Sequence, residues 1–385
     1  MLFIPHKHLY ISGTSYISAD EPDYKEVITD ANSRRRMGRL LKMAVWCGLK
    51  SLDGVPSERV AGIITSTGAG FMKDTISFGS SIFDREETLL NPSPFMQSTF
   101  NTASGYIALI RKIHAYNTTY VQQADGFAAS VIDAAMLLDD AGEGDVALVG
   151  AFDEVTPEVD VIRQRLGLYR VGDGFLPLGE GAAAFLLSAA LPTDVSGSCR
   201  ATELSTGLGG DNGSESDSGQ SGDEAGSESA SERGGDEAGS ESASEHDGDA
   251  NSECSTGPLR ESESASRPCD EFGSESSSEP LHEYGGTSSR SLNGTEDDNA
   301  ALRFCGLANL SDLPKCAENP IAELFGINAS VNVISCADHV ESLGAFRSML
   351  PVLLCKLISE QKIPDGYTAI VDDVNEDGVI VLLHK

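Results

Sequence analysis

The sequence predicts an α/β fold in which helices cover both faces of a sheet. Two observations support this fold class. Short apolar runs alternate with longer helical stretches between residues 36 and 187, and the same alternation resumes after residue 328. Strands that are apolar along their whole length are typical of a sheet buried on both faces. With 385 residues, the chain is long enough to enclose a large core.

The elements before residue 190 follow from these patterns in chain order. Strands are predicted at four apolar runs, Val60–Thr65, Thr118–Gln122, Val146–Gly150 and Ala182–Leu187. Helices are predicted over residues 36–52, 102–115 and 126–140.

The C-terminal part repeats this order of elements. A strand is predicted at 329–336, and a helix follows it because apolar residues then recur at intervals of three and four. Those apolar residues are Leu343, Phe346, Leu350, Leu353 and Leu357. The chain closes with a predicted hairpin, Tyr367–Val374 and Val379–His384, around the turn at 375–378.

Residues 206–290 interrupt the pattern and are predicted to be disordered. They are rich in Gly, Ser, Glu and Asp, and GDEAGSESASE occurs at both 222–232 and 235–245. Too little apolar surface is present to offset the entropy lost on ordering. We therefore expect one fold with an N-terminal half at 1–190, an insert at 206–290 and a C-terminal half at 291–385. The insert is interpreted as a solvated linker or, alternatively, as an acidic docking segment for a basic partner.

Charge and cysteine usage exclude several classes of protein. The net charge is −33, and residues 211–290 contribute 21 acidic against four basic side chains. This argues against binding to nucleic acid or to an anionic membrane. No run approaches the length of a membrane-spanning helix, and no secretion signal is recognisable. The eight cysteines form no C-x-x-C pair, so we expect reduced thiols, no metal site and a cytoplasmic protein.

Three segments point to chemistry. Thr119–Asp133, TYVQQADGFAASVID, predicts a strand that runs through Gly126 into a helix. Such a turn presents one side chain together with unpaired backbone N–H groups, as an acyl nucleophile and its oxyanion hole require. The other two segments are GEGDVALVGAFDEVTP at 142–157 and GEGAAAFLL at 179–187. Taken singly, each is also compatible with an ordinary strand–turn–helix core.

In this order and spacing, the three segments resemble the thiolase-like β-ketoacyl synthase superfamily. Within it, the chain is most similar to the chain length factors of aryl polyene and flexirubin-type pigment pathways. The motifs that carry the resemblance are EPDYKE (21–26), RRMGRLLKMAV (35–45), GIITSTGAG (62–70), NPSPFMQSTFNTASGYIAL (91–109) and YNTTYVQ (116–122). The resemblance implies a duplicated αβαβα layered fold with a shortened C-terminal half, and no cofactor.

The resemblance places Gln123 where condensing ketosynthases carry their cysteine. The carboxamide of glutamine cannot form the acyl thioester, and no cysteine lies near Gly126 in the sequence that could replace it. Chain length factors of type II polyketide systems likewise carry Gln at this turn. The sequence therefore predicts a subunit that cannot catalyse condensation.

The two histidines of active family members are poorly matched. The first has no counterpart, since the nearest segment, residues 292–295, contains no histidine. For the second, His339 stands five residues before Gly344 instead of three, and Glu341 occupies the three-residue position. His339 is interpreted as a relic or working general acid, or as an ordinary residue at a helix start.

The implied function is that of a silent subunit in a heterodimer with an active ketosynthase, which itself engages the acyl carrier protein. Segments 91–115 and 116–126 would face that partner. Candidate residues that limit chain growth are Phe95, Met96, Phe100 and Tyr106, with interior packing as the alternative for each. Three other functions stay open: a malonyl-carrier decarboxylase that uses Gln123, an active synthase that uses Cys336 or His339, and a scaffold that recruits through the insert.

Overall fold

The protein is described from a computed structural model that covers residues 1–190 and 301–385, except Ala19, residues 122–124 and Glu376. The described residues of both ends of the chain belong to one compact unit. The predictions of disorder at 206–290 and of a special role for Gln123 lie outside the described residues.

Strands and helices alternate through both ends of the chain. The strands are β1 Leu2–Phe3, β2 Leu9–Ile17, β3 Val60–Ser66, β4 Tyr116–Tyr120, β5 Val146–Asp153, β6 Arg170–Val171, β7 Gly174–Phe175, β8 Gly181–Ser188, β9 Arg303–Asn309, β10 Val331–Ser335, β11 Tyr367–Val371 and β12 Val379–His384. The helices are α1 Ala31–Arg36, α2 Arg39–Ser51, α3 Met72–Asp84, α4 Pro92–Ser98, α5 Thr102–Arg111, α6 Asp125–Asp140, α7 Pro157–Leu166, α8 Pro320–Phe325, α9 Val340–Leu343 and α10 Met349–Ser359.

One large sheet holds both halves of the fold, in the strand order β10-β11-β12-β9-β2-β8-β5-β3-β4, with β1 added beside β9. In the N-terminal half, β2 pairs antiparallel with β8, β8 pairs antiparallel with β5, and β5, β3 and β4 are parallel. The C-terminal half repeats this pattern with β9, β12, β11 and β10. The described C-terminal half has no counterpart of β4. The predicted duplicated fold with a shortened second half is therefore confirmed.

Helices cover both faces of the sheet. On one face, α6 and α10 share a single apolar cluster with strands of both halves, including Phe185 of β8 and Val381 of β12. On the other face, α2 packs against the N-terminal half and α8 against the C-terminal half. The sequence of α10 is apolar around its whole circumference, which is expected of a helix enclosed on all sides.

One predicted helix is broken in the structure. The helix predicted over 36–52 is present as α2, Arg39–Ser51, while Arg36 ends the separate helix α1. The helix predicted through Leu343 and Leu357 is wrong at its start, because α9 ends at Leu343 and α10 begins at Met349. The cause is Gly344, whose φ of +73° takes the chain out of the helix.

The break at Gly344 forms a seam between the halves. A Cβ atom on Gly344 would lie 2.4 Å from the backbone nitrogen of Gly179. Beside it, the N–H of Ala345 donates to the carbonyl of Pro177 at 2.7 Å, and the N–H of Gly179 donates to the carbonyl of Ala345 at 3.2 Å. Gly179, the first residue of GEGAAAFLL, and Gly344 therefore allow the backbones of the two halves to come into direct contact.

Within the described residues, no helix combines the length and apolar character needed to cross a membrane. The same residues contain no group of three or more His, Cys, Asp or Glu side chains placed to hold a metal ion.

Candidate functional site

The strand-to-helix turn lies at the edge of the sheet, between β4 and α6. β4 pairs in parallel with β3, and α6 starts at Asp125, so the predicted strand–turn–helix unit is present. Gly126 is buried in the first turn of α6, and the ring of Phe127 packs edge-on against Phe185, with 6.1 Å between centroids. Residues 122–124 themselves, Gln123 among them, are not described.

A buried carboxylate lies where the carboxyl ends of β3 and β5 meet. Asp153 Oδ1 accepts hydrogen bonds from Thr67 Oγ1 at 3.1 Å, from the N–H of Gly68 at 2.9 Å and from the N–H of Ala69 at 3.2 Å. The N–H of Thr67 in turn donates to the carbonyl of Tyr120 at 3.0 Å. The carboxylate of Asp153 thus fixes the loop that supports the end of β4.

The C-terminal half reaches the same carboxylate. Ser348, just before α10, donates from Oγ to Asp153 Oδ2 at 2.5 Å. The aliphatic part of Arg347 packs so closely on Gly68 that a Cβ there would lie 2.6 Å from Arg347 Cγ. Burial raises the pKa of Asp153, while its four hydrogen-bond donors act in the opposite direction. Asp153 therefore joins the two halves at the place where ligands of α/β sheets usually bind.

A second buried acid lies at the carboxyl end of β11. Asp372 accepts from Asn375 Nδ2 at 2.7 Å and from the N–H of Asn375 at 3.1 Å. The hydroxyl of Tyr169 donates to Asn375 Oδ1 at 2.9 Å, and the guanidinium of Arg347 lies 5.9 Å from the Tyr169 ring centroid. Burial raises the pKa of Asp372 and of Tyr169. This part of the site is filled by protein groups that bind one another.

The described thiols are not suited to act as acyl nucleophiles at this turn. Cys47, Cys336 and Cys355 are fully buried, and burial raises the pKa of each thiol. Burial also raises the pKa of the Cys305 thiol. Because the thiolate is the reactive form, such cysteines are inert. Cys316 is exposed, and it lies in the connection between β9 and α8.

The structure places His339 at the start of α9. It ends a short 3₁₀ turn, its N–H donates to the carbonyl of Cys336 at 2.9 Å, and its own carbonyl accepts from Ser342 Oγ at 3.0 Å. Glu341, which stands at the three-residue position before Gly344, is exposed.

Three of the four residues predicted to limit chain growth lie at the surface. Phe95, Met96 and Phe100 are 54%, 63% and 44% exposed. Tyr106 differs, because it is half-buried and packs against the apolar cluster of α2. The ring of Phe100 lies over Gly70, where a Cβ would come within 2.4 Å of it.

Helix α4, which carries Phe95 and Met96, is fixed by a buried glutamine and by an aromatic contact. Gln97 accepts through Oε1 from the N–H of Gly38 at 2.7 Å and donates through Nε2 to the carbonyl of Arg36. The rings of Phe95 and Phe78 lie 5.1 Å apart. The exposed side chains of α4 are therefore held in place on the surface.

Further apolar side chains continue this surface along β4 and α5. We name as the edge surface Phe95, Met96, Phe100, Leu109, Tyr116 and Val121, all of them exposed. It borders an open cleft of about 580 Å³ between residues 98–101 and β4. Among the described residues, β4 pairs with β3 alone, so its outer edge is free. An apolar patch beside an unpaired strand edge is typical of a protein–protein contact.

Sequence reasoning missed the buried network around Asp153. The available signal was Asp153 itself, which ends an otherwise apolar buried strand of eight residues, since a carboxylate in that place needs several donors. Ser348 could not have been found, because it is 195 positions from Asp153 in the chain, and Tyr169 is likewise 206 positions from its partner Asn375.

Comparison with known proteins identifies the fold. Residues 14–165 match the family model of the β-ketoacyl synthase N-terminal domain. No curated protein sequence matches the chain.

Three solved structures illustrate the likeness. The ishigamide ketosynthase/chain length factor is 12% identical, with a TM-score of 0.53, over 98% of this chain and 99% of that one. A type II polyketide synthase acyl carrier protein in complex with its ketosynthase bound to the hexaketide is 13% identical, with the same TM-score and the same two coverages. The ketosynthase of Xenorhabdus doucetiae in complex with its chain length factor is 16% identical, with a TM-score of 0.36, over 47% of this chain and 79% of that one. The first two likenesses, which extend over nearly the whole of both chains, show that the chain has the thiolase-like fold of ketosynthases.

Proposed function

We propose that this chain is a chain length factor that cannot catalyse condensation and that pairs with an active ketosynthase in polyene or polyketide biosynthesis. Aryl polyene and flexirubin-type pathways are the setting that its sequence motifs favour. The observation that carries the proposal is the edge surface. Apolar side chains held in place beside a free strand edge need a partner to cover them.

The chemistry of the turn supports a silent subunit. The sequence has Gln123 at the nucleophile position, and a carboxamide cannot accept the acyl group as a thioester. The buried cysteines of the described region are inert because their pKa values are raised. Bond formation is therefore assigned to the partner ketosynthase.

The role of this chain is then to limit the space for the growing product. Phe95, Met96 and Phe100 would form part of the wall at the subunit contact, with Tyr106 supporting them from the α2 cluster. Each added two-carbon unit needs room for its apolar carbons, and burial of one methylene is worth about 0.8 kcal/mol. A larger side chain in the wall removes that room and ends elongation earlier.

The acyl carrier protein is assigned to the partner. Acyl carrier proteins are usually acidic, and this chain has a net charge of −33, so the two repel each other at long range.

The test is co-expression of the full chain with a candidate partner ketosynthase, followed by reaction with malonyl carrier protein and a starter acyl carrier. We expect co-purification, and full-length product only when both chains are present, with wild-type turnover retained in Gln123→Ala. If the isolated chain consumes malonyl carrier protein and Gln123→Ala abolishes that reaction, the chain is a decarboxylase or synthase and the proposal is wrong.

The wall can be tested in the same assay. We expect Phe100→Ala to shift the product distribution to longer chains, because it opens space at the contact. Leu166→Ala is the control, since Leu166 is exposed on α7, away from the edge surface. An unchanged product length in Phe100→Ala would remove Phe100 from the proposed wall.

A further inference from the structure

Within the part of the chain that the structure describes, the C-terminal half has an open strand edge where the N-terminal half has β4. β10 is the counterpart of β3, and β10 pairs with β11 alone among the described residues. The N–H of Cys336 donates to the carbonyl of Val371, on the β11 side. Because backbone groups alternate along a strand, those of Val331, Val333 and Ser335 point to the open side. Such a row is a ready template for another strand.

An uncovered apolar side chain marks the same edge. Val333 is 58% exposed, and no other large apolar side chain of residues 301–385 is comparably exposed. Val331, two residues away and on the same face, packs against the cluster of α8. Helix α8 has six residues where α2 has 13, and it leaves Val333 uncovered.

The two ends of β10 differ in charge. Beside its carboxyl end lie three exposed acids, Asp338, Glu341 and Asp373, and none of them forms an ion pair with a described residue. Asp373 is held there by hydrogen bonds from Ser335 Oγ at 2.6 Å and from the N–H of Ala337 at 2.9 Å. Beside the amino end, Asp365 is paired with Lys385 at 3.5 Å. The strand itself, VNVIS, is uncharged.

We propose that β10 accepts an extended segment of a partner protein as an additional strand, with basic residues of that segment beside Asp338, Glu341 and Asp373. Main-chain hydrogen bonds to the open edge supply the pairing, and Val333 receives an apolar side chain of the segment. The unpaired carboxylates select basic residues at one end. A second copy of this chain is disfavoured, because each copy carries a net charge of −33.

Short peptides test this proposal on the full chain. The probe is a fluorescent peptide of alternating Val and Thr with two lysines at each end, so that either strand direction brings lysines to the acidic end. By fluorescence anisotropy, we expect it to bind at least about tenfold more tightly than the same peptide ended by glutamates. Methylation of alternate backbone nitrogens in the lysine peptide removes the donors for strand pairing, and we expect binding to be lost.

Variants of the protein locate the binding. Val333→Pro removes an outward N–H that β11 does not use, and edge strands tolerate proline in that position. We expect Val333→Pro to weaken binding by about tenfold, and the matched Val333→Thr, which keeps the N–H, to stay within about threefold of wild type. We expect Asp338→Asn with Glu341→Gln to weaken binding about threefold.

Three results would overturn the proposal. The first is that the methylated peptide binds as well as the parent peptide, and the second is that Val333→Pro binds the peptide as well as wild type does. Either result would mean that the lysines bind elsewhere, for example to residues 211–290, which these variants leave intact. The third is that sedimentation shows a wild-type dimer that Val333→Pro dissociates, which would assign the edge to a second copy of the chain. Should Val333→Pro fail to fold by circular dichroism, the methylated peptide decides the question. None of these outcomes bears on pairing through the edge surface.

Discussion

The two halves of the sheet share one topology and differ in what they add to it. Between β3 and β5 of the N-terminal half, residues 67–145 supply β4 and the helices α3 to α6. The corresponding stretch of the C-terminal half, residues 336–366 between β10 and β11, supplies only α9, α10 and a short 3₁₀ turn. The exposed apolar helices and the strand-to-helix turn both belong to the longer stretch. The difference indicates that the duplicated core is a shared scaffold and that the N-terminal copy carries the larger addition to it.

The two halves are joined by a close backbone contact and by a buried hydrogen bond. Gly344 touches Gly179 by backbone, and Asp153 accepts from Ser348 across the same boundary. These contacts, together with α10 and the pairing of β2 with β9, hold the two halves of the sheet together.

The largest effect is expected from placing a side chain at the contact between Gly344 and Gly179. Gly344→Val places a branched side chain at a φ of +73° and within 2.4 Å of the neighbouring backbone. We expect a loss of about 4 kcal/mol or more in the free energy of unfolding, or no folded protein, because strain and overlap add. Urea denaturation followed by circular dichroism measures it.

Gly326→Ala is the matched control for Gly344→Val. Gly326 also has a positive φ, +65°, but no atom lies within 4 Å of where its Cβ would be. We expect a cost of about 1 kcal/mol there. Equal effects at the two glycines would show that the halves are not joined by close backbone contact.

The second effect concerns the carboxylate that joins the halves. Asp153→Ala leaves the N–H groups of Gly68 and Ala69 and two hydroxyls without their acceptor. We expect a loss of about 3 kcal/mol in the free energy of unfolding. Asp160→Ala, which removes a solvent-accessible carboxylate paired with Arg163, is the control and should cost much less.

Asp153 also predicts a pH dependence. Its pKa is raised, so the folded protein keeps this proton to higher pH than the unfolded chain does. The contribution of the group is therefore fully present below the ordinary aspartate range and is lost as pH rises through the raised pKa. We expect the free energy of unfolding of wild type, relative to Asp153→Asn, to fall as pH increases from about 4. An opposite slope would mean that the four donors outweigh burial.

The third effect distinguishes the two sheet edges. Leu109→Asp places a charge in the edge surface, and we expect it to weaken pairing with the ketosynthase by about tenfold in a pull-down titration. Because Leu109 is exposed, the stability of the isolated chain should change by less than about 0.5 kcal/mol. Val333→Asp, on the other edge, should leave ketosynthase pairing unchanged. If both variants weaken pairing equally, the assignment of the partner to the β4 edge is wrong.

The smallest effect has the opposite sign. Thr368 of β11 is fully buried, and its hydroxyl has no hydrogen-bond partner among the described residues. The corresponding strand of the other half, β5, is apolar from Val146 through Phe152. We expect Thr368→Val to raise the free energy of unfolding by about 0.5 to 1 kcal/mol, measured by urea denaturation. A loss of stability would indicate a partner for this hydroxyl.

The sequence allowed most strands to be predicted, because a strand buried on both faces is continuously apolar. β3, β5 and β8 begin and end within three residues of the predicted limits, and β11 and β12 form the predicted hairpin. Helix breaks were not predictable in the same way. The apolar spacing continues across Gly344, and the reason for the break is a backbone contact with Gly179, which is distant in the chain.

The candidate site was predicted in outline only. The turn between β4 and α6 follows from a local pattern, and the exposed positions of Phe95 and Met96 agree with a surface role. The hydrogen bond from Ser348 to Asp153 joins residues 195 positions apart, and nothing local in the sequence relates them. Tyr106 faces the α2 cluster because its helix turns that side inward, which its spacing alone does not distinguish.

The position of α10 has a consequence for synthesis of the chain. This helix packs on β2 and β8, which lie in the first 190 residues, yet its own first residue is Met349. At usual translation rates, the ribosome needs roughly ten to thirty seconds to make the residues between β8 and α10. Through that interval, α6 covers part of this apolar face, but the area that α10 covers on β2 and β8 stays exposed, so we expect chaperone binding to be concentrated there.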